Sequence, residues 1–115
     1  MSPIEAELLK AVAYNPSEVM PQLLSPQINF DEDWFEDNII KSTFKVLAQL
    51  TLASKSISWL VLSASLPFVD GQREQLRELW QSGKQEFIDW RPVVESLRTN
   101  FVRREADRAI KTYHQ

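Results

Sequence analysis

The chain has 115 residues, with 16 acidic and 13 basic side chains for a formal net charge of −3; 43 % of the residues are apolar. That length and apolar content predict one domain over 1–115 with a real core, and they exclude intrinsic disorder. The lack of cysteine excludes disulfides, iron–sulfur clusters and thiolate zinc sites, and a lone histidine near the C-terminus argues against histidine-based catalysis or metal binding.

Helix signals recur along the chain and strand signals do not. Ser2-Pro3-Ile4-Glu5 has the form of a capping box, in which the hydroxyl and the carboxylate would each accept a backbone N–H, with Pro3 at the first helical position. Ile4, Leu8, Leu9 and Val12 then share one stripe, which predicts a first helix over about 3 to 13. Asn15-Pro16 repeats the same start signal for a helix carrying Val19, Met20, Leu23 and Leu24. Pro21 falls past its first turn, so that helix should be short or kinked, and Ser25-Pro26 should close it.

Asp31 opens the third segment, whose first turn would be filled by acids that complement the helix dipole. Trp34, Phe35, Ile39, Ile40, Phe44, Val46, Leu47 and Leu50 make a wide apolar arc, predicting the most buried helix, which should end near Leu52 to Ser54. Ser56 or Ser58 can cap a short helix with Trp59, Leu60, Leu62 and Leu66, stopped before Pro67. Asp70-Gly71 opens another, with Leu76, Leu79 and Trp80 on one face and Gly83 as its C-cap. Asp89 then caps a long last helix, from about 90 to 113. Its seam is Trp90, Val94, Leu97 and Phe101, continued with a drift by Val102, Ala106, Ala109, Ile110 and Tyr113. Of the four tryptophans, Trp34, beside the acids, is the one expected to be partly exposed. The fold class is therefore all-α: a compact bundle of about six helices whose long C-terminal helix projects at its end.

The candidate chemistry is sparse. The acids at 31–37 lack the glycine and distal glutamate of a calcium loop, and no glycine occurs before position 71. Two isolated glycines cannot form a phosphate-binding loop, and no Glu-x-x-His pair is present for a di-iron bundle. No catalytic, cofactor or metal residues are assigned, and an enzyme is not expected. The longest unbroken apolar run is Trp59 to Leu62, too short to cross a bilayer, and no secretory leader is evident, so a cytoplasmic protein is expected.

The charge is unevenly placed. Residues 1–40 hold eight acids against Lys10, a balance of −7, and residues 41–115 hold twelve bases against eight acids, a balance of +4. Acids near helix N-termini and bases near a C-terminus would produce this split through the helix dipole alone; a polar partner surface would produce it too. The basic end is Arg103, Arg104, Arg108 and Lys111, with Tyr113 available for stacking. Glu105 and Asp107 interrupt it, so direct nucleic-acid binding is not expected.

Leu8-Leu9-Lys10-Ala11-Val12-Ala13-Tyr14-Asn15-Pro16, followed by Leu23-Leu24, resembles the start of the C-terminal helicase-binding domain of DnaG-type bacterial primases. The same fold forms the N-terminal domain of DnaB-type replicative helicases. Phe44, Leu47, Leu50, Lys55, Ile57, Leu60 (or Trp59), Leu62 and Leu66 resemble that family's central helix, turn and short fourth helix. The last helix, with Val94, Leu97-Arg98, Phe101 and Val102-Arg103-Arg104-Glu105-Ala106, is more similar to the primase version. Two features depart from the pattern: Asp70-Gly71 stands where helicases carry a Gly-Gly pair, and the helical hairpin that follows the long helix in both families has no counterpart before Gln115. The resemblance implies a replication interaction module that docks primase to helicase through a protein partner, needs no cofactor and presents Arg103, Arg104, Arg108, Lys111 and Tyr113. The alternative is a free-standing helical adaptor or regulatory protein with an unrelated partner.

Overall fold

A computed structural model describes residues 2–69 and 71–114, the last three as backbone only. Its α-helices are α1 (Pro3–Tyr14), α2 (Pro16–Leu23), α3 (Asn38–Leu52), α4 (Trp59–Ala64), α5 (Gln72–Gly83) and α6 (Trp90–His114), with one 3-10 turn over Glu32–Trp34. No strand occurs among the described residues, and the architecture is the expected all-α bundle with a long last helix. At 1.5 Å per residue the 25 residues of α6 extend about 37 Å, longer than the molecule's second extent of 35 Å.

Helix α1, not α3, lies at the centre, packed against α5, α6, α2 and α3. From Leu8 to Ala13 every residue but Lys10 is buried, so the helix is covered on nearly all sides. Two of those residues are alanines, and Gly83 of α5 meets them. A Cβ on Gly83 would lie 2.5 Å from the Lys10 carbonyl oxygen and 2.9 Å from Ala13 Cβ. Gly83 is therefore not the expected left-handed C-cap. It is the last helical residue, Lys84 continues in αR geometry, and its lack of a side chain lets two helix backbones touch. Helix α3 is amphipathic instead: Ile39, Ile40, Phe44 and Leu47 are buried, while Lys45, Gln49 and Leu52 face solvent.

The N-terminus of α1 also departs from expectation. Ser2 caps it without a side-chain hydrogen bond, and Ile4 is exposed rather than part of the stripe. Glu5 does not turn back toward Ser2. Its buried carboxylate reaches across the fold, where Oε1 accepts the N–H of Glu36 at 2.8 Å and of Asp37 at 3.1 Å. Helix α2 is short, as expected, and runs through Pro21, which offers no N–H to the preceding turn, to end at Leu23.

Residues 31–37 do not form the first turn of α3. Asp31 caps the 3-10 turn by accepting the Asp33 N–H at 2.8 Å, the chain then extends, and Asp37 caps α3 by accepting the N–H of Ile39 and Ile40. Aromatic packing gives the reason. Phe30 sits 4.7 Å from Trp34, 5.2 Å from Phe35 and 4.8 Å from Phe44 between ring centroids, a cluster that one straight helix could not assemble. Trp34 is accordingly buried, and Trp59 is the half-buried tryptophan. On α4, capped by Ser58, Leu62 is buried but Leu60 points outward, because six residues cover only one side.

Candidate docking face

Helix α6 divides near Phe101. Asp89 accepts the Arg91 N–H at its start, Trp90, Val94 and Leu97 are buried against the bundle, and Phe101 is half-buried 6.4 Å from the Trp34 ring. Beyond it every described side chain but Arg104 is exposed. Val102, Ala106, Ala109 and Ile110, expected to continue the seam, instead form a solvent-facing stripe at helical spacing. Periodicity marks a face of the helix; the bundle ends before that face is covered.

The basic residues have different surroundings. Arg103 and Lys111 are exposed. Arg108 pairs with Glu105 at 3.2 Å. Arg104 turns inward: its Nη2 donates to the Asp33 carbonyl at 3.2 Å and the Trp34 carbonyl at 3.4 Å, and its Nη1 lies 3.2 Å from the Glu36 carboxylate. The Tyr113 side chain lies outside the described residues. The outward cations of this half-helix are thus Arg103, Arg108 and Lys111, while Arg104 fastens α6 to the segment at 31–37.

That segment gathers further counter-charge. Lys41 lies 3.5 Å from Asp33, and Lys45 lies 3.5 Å from Glu32. Part of the charge split along the chain is therefore closed within the molecule: Asp31 and Asp37 act as caps, while Glu32, Asp33 and Glu36 pair with basic side chains rather than filling the first turn of α3 as the dipole reading expected. Exposed pairs of this kind contribute less than about 1 kcal/mol each and serve mainly to set orientation.

Two features escape the sequence. One is the Glu5 cross-link, whose only signal is an acid at an otherwise buried helix position. The other is a cleft between α2 and α6 at Trp90 and Arg91, visible only once the two helices are placed together. Among the described residues no three acidic or histidine side chains converge into a metal cluster, and no helix is long and apolar enough to cross a membrane. No protein-family model, curated protein or solved structure matches this chain.

Proposed function

We propose that the chain is a protein–protein interaction module of the bacterial replication machinery, a non-catalytic cytoplasmic domain that helps dock primase to the replicative helicase. Its sequence resemblance to those helicase-binding domains motivates the partner. The observation that carries a docking role is the second half of α6, where Val102, Ala106 and Ile110 face solvent beside Arg103 and Lys111. An exposed apolar stripe bordered by Arg103 and Lys111, with Asp107 between them, suits a partner surface that is apolar at its centre and mixed but mainly acidic at its edge. The stripe would supply the buried area, and the cations would set encounter rate and orientation.

The test is binding of the 115-residue chain to the cognate replicative helicase, measured by calorimetry at low and high salt. The expected result is saturable binding that weakens with salt and is lost when Val102 and Ile110 are both changed to Ser. A folded chain that fails to bind at low salt would overturn the helicase reading. The same chain capturing a protein unrelated to replication through that stripe would instead support the adaptor reading.

A further inference from the structure

The cleft between α2 and α6 has a volume of about 510 Å³, within the range of about 300–1,000 Å³ usual for ligand sites. Its floor is apolar, formed by the buried Trp90 and Val94 and the partly buried Ile28. Arg91 stands over this floor, with its guanidinium carbon 4.7 Å from the centroid of the Trp90 ring. Its Nη2 donates to Gln22 Oε1 at 3.3 Å, and Gln22 Nε2 in turn donates to the Glu18 carbonyl at 3.3 Å. The fork thus has one contact at an edge, to Gln22, and one at a face, to the Trp90 ring.

What Arg91 lacks is a counter-charge. Among the described residues the ion pairs join Lys10, Lys41, Lys45, Arg104 and Arg108 to acids, and none involves Arg91. Glu95 lines the same cleft without reaching it. A planar, oriented guanidinium with free donors beside an apolar floor is complementary to a carboxylate borne next to a bulky apolar group. The neighbouring side-chain amide of Gln27 matches the N–H and C=O groups of a peptide main chain.

We propose that this cleft binds a segment of a partner protein in which an acidic side chain adjoins a bulky apolar one. The carboxylate pairs with Arg91, and the apolar side chain lies on Trp90, Val94 and Ile28. Val94 and Ala106 are separated along α6 by about 18 Å at 1.5 Å per residue, so this contact stands or falls independently of the outer half of the helix.

The probe is a capped hexapeptide of alternating aspartate and leucine, titrated into the ¹⁵N-labelled 115-residue chain. The readouts are the Trp90 indole N–H and the Arg91 side-chain N–H resonances. Saturable shifts of both are expected, and replacing aspartate by asparagine in the peptide should weaken binding about tenfold or more, as loss of a charge-assisted bidentate contact does. Arg91→Gln should weaken the aspartate peptide to the same extent. Glu95→Gln should tighten it about threefold, by removing a like charge from the cleft. The peptide comparison needs no variant, and both substitutions are at exposed positions. The proposal is overturned if no shift saturates at millimolar peptide, if both peptides bind equally, or if Arg91→Gln binds like the parent chain. It is also overturned if a thymidine hexanucleotide shifts these resonances and the peptide does not.

Discussion

Replacing Glu5 tests whether the bundle depends on a contact that spans 31 and 32 residues of sequence. Glu5→Ala leaves the N–H groups of Glu36 and Asp37 without the single oxygen that receives both. A hydrogen bond to a charged acceptor contributes about 1.5–3 kcal/mol. Glu36 is exposed and Asp37 only partly buried, so water replaces some of the loss, and about 3 kcal/mol of destabilisation is expected in total. Glu5→Gln keeps an acceptor oxygen at the same reach and should cost about 1 kcal/mol, the difference between charged and neutral acceptance. Glu7→Ala, two residues on and paired only at 4.0 Å with Lys10, should change stability by less than about 0.5 kcal/mol. Urea unfolding followed by tryptophan fluorescence gives all three values, provided the slope against denaturant is unchanged. Amide exchange at Glu36 and Asp37 should accelerate in the alanine variant before exchange elsewhere does. Equal losses for alanine and glutamine, or a loss below about 0.5 kcal/mol for alanine, would refute the reasoning, because acceptance by Oε1 would then not be what holds the segment.

Gly83→Ala should destabilise by about 2 kcal/mol or more, because its methyl would press on the backbone of α1 rather than on a flexible side-chain tip. This runs against the usual helix preference for alanine over glycine, and a thermal melt that rises instead of falling would contradict it. Arg104→Ala should cost about 1–2 kcal/mol, more than Glu36→Ala, since the arginine also donates to two carbonyls; equal costs in urea unfolding would mean that the ion pair alone matters.

The helix starts were legible because caps and prolines act locally. Pro3, Asn15-Pro16, Ser58 and Asp89 each mark a boundary within a residue or two. The region at 31–37 was not legible, since acids and apolar spacing there read as a helix while Phe30, Trp34, Phe35 and Phe44 needed to converge in space. Glu5 carried a valid local pattern that lost to a distant pair of amides. At Gly83 the composition pointed to a cap, and only the placement of α1 beside it shows a crossing point. On α6 the face and its projecting end were predictable, but the point after Phe101 at which its coverage stops was not. Neither was the inward turn of Arg104, because a basic run on a helix distributes its members around the axis.

The central position of α1 sets an order of events in folding. Its apolar surface is covered mainly by α5 and α6, which lie about sixty or more residues further along the chain. During synthesis the earliest of these helices therefore waits for the latest before its burial is complete. Until α5 arrives, the Lys10 backbone that Gly83 will touch stays open to solvent, and loosely paired helices carry exposed leucine and alanine. Pairing of distant segments slows such a bundle relative to one built from neighbouring hairpins.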